Sequence, residues 1–519
     1  MGIDKWLKWP IVAFCVWLYT RYPGFFHRTV TIFFMNRERL MLRKLSLVVA
    51  VSFASNGLTW AADMPLPTKT GLVNVYEQAV DNNADLAAAR ADYAARKEAV
   101  PQARAGLLPN LSGSAQANNT RTSIDQPRAI ATRSGTVYQA TLSQPIFRAD
   151  RWFQLQAAEA VNEQAALELS AIEQNLILQS AQSYFSVLRA QDSLAATKAE
   201  ESAFRRQLDQ ARERFDVGLS DKTDVLQAQA SYDTSRASRI LAQRQVDDAF
   251  QALVTLTNRE YNSIEGIVHT LPVLAPTPND AKAWVDTAAQ QNLNLLASNY
   301  AVNAAEETLR QRKAGHAPTL DAVATYQRGD NDALGFNNPN YTGQNYGGDV
   351  EQRTIGVQLN IPIYSGGLVN SQVREAYSRL SQSEQRREGL RRQVVENTRN
   401  LHRAVNTDVE QVQARKQSII SNQSALEATE IGYQVGTRNI VDVLDAQRQL
   451  YASVRDYNNT RYDYILDNLR LKQAAGTLNP GDLQDLSRYL KSDYNPDKDF
   501  LPPDLAAAAR KNFERPAQR

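Results

Sequence analysis

Gly432-Tyr433-Gln434-Val435-Gly436-Thr437-Arg438-Asn439-Ile440-Val441-Asp442-Val443-Leu444-Asp445 is the stretch that decides how this chain folds. It has an earlier partner, Arg214-Phe215-Asp216-Val217-Gly218-Leu219-Ser220-Asp221-Lys222-Thr223-Asp224-Val225-Leu226. In each copy an aromatic residue is followed by Val and Gly, which stop one helical pattern. An Asp-Val-Leu triplet then opens the next, with its acid in the first turn. Working outward, Ala105-Gly106-Leu107-Leu108-Pro109-Asn110-Leu111 returns as Ala314-Gly315-His316-Ala317-Pro318-Thr319-Leu320, and Pro145-Ile146-Phe147 returns as Pro362-Ile363-Tyr364. The markers keep their order while their separation drifts from 209 to 218 residues, as loop insertions would produce. The chain is an internal duplication.

Around these markers the sequence is helical. Residues 146–271 and 363–479 contain no proline and are rich in Ala, Gln, Glu, Arg and Leu, which favours helix by propensity. Apolar positions step by three and four, as in Phe204, Leu208, Ala211 and Phe215, the spacing of helix-on-helix packing. A helix from Asp150 to Phe215 measures roughly 100 Å and must lie beside other long helices. Pro101, where the second repeat has Arg310, is expected to kink or end the first helix of repeat one.

The amino-terminal region reads as an upstream extension and signal peptide over residues 1–61. Basic residues Arg37, Arg39, Arg43 and Lys44 precede an apolar run from Leu45 to Ala54 and a small-residue cleavage pattern at Thr59-Trp60-Ala61. Cleavage there removes Cys15, the single cysteine, and leaves 50 basic against 54 acidic residues. An exported chain with net charge −4 has no basic excess for nucleic acid. No new amino-terminal cysteine is exposed to carry a lipid. The rest divides into a first repeat over 62–270, a Pro-rich linker over 271–280, a second repeat over 281–480 and a polar tail over 481–519, expected to be disordered.

Before each long helix the period changes to two. Tyr138, Ala140 and Leu142 alternate with Gln139, Thr141 and Ser143; Ile355, Val357, Leu359 and Ile361 alternate with Thr354, Gly356, Gln358 and Asn360. With Leu111–Ala117 and Leu320–Tyr326 these make about four strands, two per half, joined by polar loops near 118–135 and 328–353. Alternation alone fits a soluble sheet or a membrane barrel. An exported chain with no block of sequence left to cover the apolar face favours the barrel. Four strands cannot close alone in lipid, so more than one copy is required. No motif calls for a cofactor or metal: His27, His269, His316 and His402 have no ligand spacing, and no phosphate-binding Gly-rich loop or enzyme motif appears.

With repeat, strands and helices in place, the chain resembles the TolC-type outer membrane factors over about residues 70–480. The 432–445 and 214–226 stretches and Ile361-Pro362-Ile363-Tyr364-Ser365-Gly366-Gly367 carry the likeness. It implies an α+β membrane protein, a homotrimer whose chains each give four strands to one twelve-stranded β-barrel in outer membrane lipid. A long α-helical coiled-coil barrel continues it across the periplasm. Such a protein is a passive exit duct for tripartite efflux or type I secretion and not an enzyme. Its energy comes from an inner-membrane transporter of RND, MFS or ABC type through a periplasmic adaptor. The rival readings are a periplasmic coiled-coil adaptor and a soluble repeat scaffold.

The resemblance also assigns a gate at the tunnel tip to Thr223, Asp224, Tyr433 and Arg438. From spacing alone the same residues read as a helix break, its cap and a first-turn acid. Asp442 and Asp445 stand three apart and share a helix face. In three copies they would set six carboxylates around the axis, and the expectation is a cation-selective constriction.

Overall fold

A computed structural model describes residues 69–126, 128–330, 334 and 348–502. The extension and signal peptide expected over 1–61 lie outside the described residues, as do residues 503–519 of the expected tail.

The first repeat opens with three short helices, α1 (Leu72–Asn82), α2 (Ala84–Lys97) and α3 (Ala99–Ala105). The break between α2 and α3 falls at Glu98, three residues before Pro101, whose ring nitrogen has no hydrogen to donate to the Lys97 carbonyl as continuous helix requires. Strands β1 (Asn110–Asp125) and β2 (Arg128–Phe147) follow, then α4 (Ala149–Asp216) and α5 (Lys222–Thr257). A two-residue strand, β3 (Gly266–Ile267), leads to the second repeat: α6 (Ala281–Gln291), α7 (Leu293–Lys313), β4 (Thr319–Asp330), β5 (Asp349–Asn360), α8 (Leu368–Gln434) and α9 (Ile440–Ala474). The expected helix over 150–215 is α4, 68 residues long, or about 100 Å.

The four long strands form one antiparallel sheet in the order β1-β2-β4-β5. Its registers sort the side chains into rows. Leu111, Leu142, Ala324 and Ile355 are cross-strand partners; the next row on the other face is Ser112, Thr141, Thr325 and Thr354, followed by Ser114, Gln139, Gln327 and Gln352. One face is therefore apolar and the other polar, and nothing among the described residues covers the apolar one: Leu111, Leu142 and Ile355 are 74%, 42% and 88% exposed. The strands reach further than alternation suggested. Residues 118–125 and 128–135, expected as a loop, form ladder pairs such as Asn118 with Gly135 and Thr120 with Arg133. Backbone hydrogen bonding extends a hairpin past the point where its side chains lose their apolar pattern. Arg148, between β2 and α4, makes a paired hydrogen bond to Asp321 on β4 (Nε–Oδ1 3.0 Å, NH2–Oδ2 2.6 Å), tying the two repeats where sheet meets helix.

Away from the sheet the helices pack as hairpins. On α8, Val405, Val412, Ile419, Leu426 and Tyr433 are all buried at steps of seven. On α9 the buried set Ile440, Val443, Gln447, Leu450, Val454 and Tyr457 alternates steps of three and four. Two such stripes meeting is a coiled-coil seam. A second core, around Tyr184, Phe185, Leu188, Leu253, Tyr462 and Ile465, fills the middle of the helical body. The linker is pinned there: the Tyr464 hydroxyl accepts from Leu274 N–H at 3.0 Å and donates to Leu274 C=O at 2.9 Å.

The expectation of disorder is corrected over residues 481–502, which this core orders. After α9 the chain forms α10 (Pro480–Ser487), β6 (Leu490–Lys491) and α11 (Pro496–Asp499), and β6 pairs antiparallel with β3. Prolines and charges suggested disorder, but Leu483, Tyr494 and Phe500 are buried and supply the apolar area that ordering requires. Tyr494 lies against Gly266, where a Cβ would sit 2.0 Å from its ring, so only glycine fits. Tyr462 and Tyr494 both donate hydroxyl hydrogen bonds to the buried Asp192 carboxylate.

Burial pushes the Asp192 carboxyl up to about 6 against these two bonds and the Arg461 charge. A raised folded-state value means that Asp192 favours folding fully below its ordinary 3.8, and that this contribution is lost as the pH rises through about 6. Asp192→Asn is expected to flatten that part of the melting-temperature profile. A profile unchanged by the substitution would show that the carboxylate stays well solvated.

Candidate functional site

The repeated stretches fold into two matching turns at the end of the helical body opposite the sheet. In the first, Gly218 has φ 77° and Leu219 N–H bonds Arg214 C=O at 2.8 Å. In the second, Gly436 has φ 80° and Thr437 N–H bonds Gly432 C=O at 2.8 Å. Both are left-handed glycine helix stops, which explains why Val-Gly recurs in the sequence. Val217, Leu219 and Val435 are exposed beside them.

The structure brings two of the four expected gate positions, Tyr433 and Asp224, to one seam and leaves Thr223 exposed beside it. Tyr433, in the last turn of α8, is the final buried residue of the heptad and is 7% exposed, with a buried hydroxyl that has no hydrogen-bond partner. Thr223 and Asp224 stand in the first turn of α5. Burial and the neighbouring Asp221 hold the Asp224 carboxyl above its ordinary value, with Arg214 pulling it down. Burial and the Asp224 charge likewise raise the Tyr433 phenol, again opposed by Arg214. Arg438 does not join them within the chain. Its side chain is 62% exposed and its NH1 lies 3.8 Å from Asp442 Oδ2, at the long limit of an ion pair.

Sequence reasoning missed Arg214, whose guanidinium carbon lies 4.8 Å from the centre of the Tyr433 ring. Its signal was present, since Arg214 immediately precedes the repeated Phe215-Asp216-Val217-Gly218. An arginine in a last helical turn reads, however, as an ordinary partner for the helix dipole. Asn439 was also missed. It caps α9 reciprocally: Asp442 N–H donates to Asn439 Oδ1 at 2.9 Å, and Asn439 N–H donates to Asp442 Oδ2 at 3.4 Å.

Asp442 and Asp445 do share the first turns of α9, and each has an intrachain partner. Asp442 closes the capping box; Asp445 accepts from Arg448 NH1 at 2.6 Å. Arg438 and Arg448 thus stand beside the two carboxylates, one weakly and one firmly paired.

The chain matches the family model described as outer membrane efflux protein over residues 75–259 and 284–477, one match on each repeat. It is 37% identical to the outer membrane protein TolC of Vibrio cholerae, over 81% of this chain and 94% of that one. It is 26% identical to the proteases secretion protein PrtF of Dickeya chrysanthemi, over 87% of this chain and 96% of that one. Its fold is similar to the solved outer membrane protein VceC of Vibrio cholerae, with a TM-score of 0.67 at 19% identity, covering 78% of this chain and 96% of that one.

Proposed function

Because the chain belongs to the outer membrane efflux protein family, we propose that three copies join their sheets edge to edge into one twelve-stranded barrel in the outer membrane. The α4–α5 and α8–α9 hairpins continue that barrel as a periplasmic tunnel. The observation that carries this reading is the sheet itself. It has an uncovered apolar face and two open edges, β1 and β5, while no helix among the described residues is long and apolar enough to cross a membrane. In lipid such a sheet is stable only when neighbours satisfy its edges.

The protein is a passive exit duct serving efflux and protein secretion, charged from the inner membrane by a transporter acting through a periplasmic adaptor. The relative named for protease secretion supports the second cargo class. At the periplasmic end, Tyr433, Thr223, Asp224 and Arg438 form the gate. Tyr433 and Asp224 belong to the intrachain seam, whereas the exposed Arg438 reaches across to the next copy, where a guanidinium can engage a carboxylate and a hydroxyl together. Asp442 and Asp445 form the constriction just above.

Planar-bilayer conductance of the purified protein tests the reading. Wild type is expected to give small, stable currents and Arg438→Ser several-fold larger ones. Large currents from both would discard the gate and keep the pore; no channel from either well-folded protein would discard the duct.

A further inference from the structure

Aligning the two turns on Gly218 and Gly436 pairs Arg214 with Gly432 and Ser220 with Arg438. Each repeat therefore carries one arginine, before the turn in the first and after it in the second. The small counterparts give these side chains room. A Cβ at Gly432 would lie 2.8 Å from Arg438 Cγ, so its absence lets Arg438 fold back over the end of α8 with its head in solvent. Ser220 turns its hydroxyl onto Ala211 C=O at 3.4 Å.

Arg214 is directed the other way, into the seam. Its guanidinium faces the Tyr433 ring at 4.8 Å, and its Nε is buried without a hydrogen-bond partner. Its positive charge acts on Asp224 across the same seam. The Tyr433 hydroxyl has no partner either. The ring face, and not the hydroxyl, is what the first repeat holds.

We propose that Arg214 is the positioning residue of the intrachain half of the gate: stacked on Tyr433, it fastens the end of α4 to the last turn of α8 and leaves Arg438 for contacts outside the chain. This rests on the gate reading above. The chemistry suits arginine, whose planar, weakly hydrated head stacks on aromatic faces, better than lysine. Separating the two hairpins would break this contact, so the stack favours the closed arrangement.

Bilayer conductance of full-length Arg214→Ala, Arg214→Lys, Tyr433→Phe, Tyr433→Leu, Arg214→Ala with Tyr433→Leu, and Arg438→Ser tests this. Arg214→Ala and Tyr433→Leu are each expected to raise the open population about ten-fold, the factor for a half-buried cation–ring contact between the exposed and fully desolvated cases. The double variant is expected to go no further than either alone. Tyr433→Phe keeps the ring and stays closed; Arg214→Lys keeps the charge and recovers part of the closure. If Arg438→Ser opens the channel while Arg214→Ala does not, Arg214 is overturned and the gate stands. If none of the variants opens it, the gate reading itself falls. Tyr433→Phe opening as fully as Tyr433→Leu would transfer the hold to the hydroxyl and overturn the stacking role. Should Arg214→Ala fail to assemble, the contrast between Tyr433→Phe and Tyr433→Leu still decides.

Discussion

Ile355→Arg is expected to remove the protein from the membrane fraction, while Thr354→Arg, one residue away, leaves it there. Ile355 belongs to the apolar row with Leu111, Leu142 and Ala324, and is 88% exposed in the single chain. Thr354 belongs to the opposite, polar row. On a lipid-facing position an arginine costs about 2–4 kcal/mol near the bilayer midplane, and on a lumen position little. The cost recurs in every copy of a closed barrel. Carbonate-resistant membrane association and the oligomer recovered from the membrane on a native gel are the readouts. Equal insertion of the two variants would mean that the apolar row is covered by protein and the barrel reading is wrong. Because both substitutions add the same charge to neighbouring residues of β5, a difference between them reports the face and not the strand.

The second large effect concerns Asp442 and Asp445. With both changed to Asn, block of the current by divalent or multivalent cations applied from the periplasmic side is expected to need about ten-fold more cation, since losing as little as 1.4 kcal/mol of attraction corresponds to that factor. Asn is the better substitution than Ala because Asp442 accepts the Asn439 N–H in the capping box. An amide oxygen keeps that bond while removing the charge, so helix capping and electrostatics are separated. The arrangement adds a sharper expectation. Arg448 lies 2.6 Å from Asp445, whereas Arg438 lies 3.8 Å from Asp442 and is mostly solvated. Arg438→Ser therefore takes away a counter-charge and should strengthen cation block even as it enlarges the current. Unchanged block in the double Asn variant would sink the constriction.

Much of this was legible along the chain. Repeat markers depend on local chemistry: a glycine that must adopt φ near 80°, a first-turn acid, a proline that cannot donate a hydrogen bond. Period two and period three-to-four patterns likewise survive in a linear sequence because the backbone imposes them. Such signals located the four strands, the long helices and the turns that carry Tyr433, Arg438, Asp442 and Asp445. They located strand ends poorly, since the ladder over 118–135 is held by backbone bonds that leave no side-chain period.

The sequence by itself determined the duplication, the alternation of strand and helix within each half, and which strand face is apolar, all set by interactions within a few residues. Only the tertiary structure decided what distant residues do to one another. It packed Tyr494 against Gly266 and Asp192, so that residues up to 502 belong to the core despite their prolines and charges. It set Arg214 over Tyr433 and left Arg438 mostly in solvent, 3.8 Å from Asp442. Two arginines at a helix end look alike in one dimension. Burial across a seam made between repeats 218 residues apart separates them, and no local spacing encodes which one faces inward.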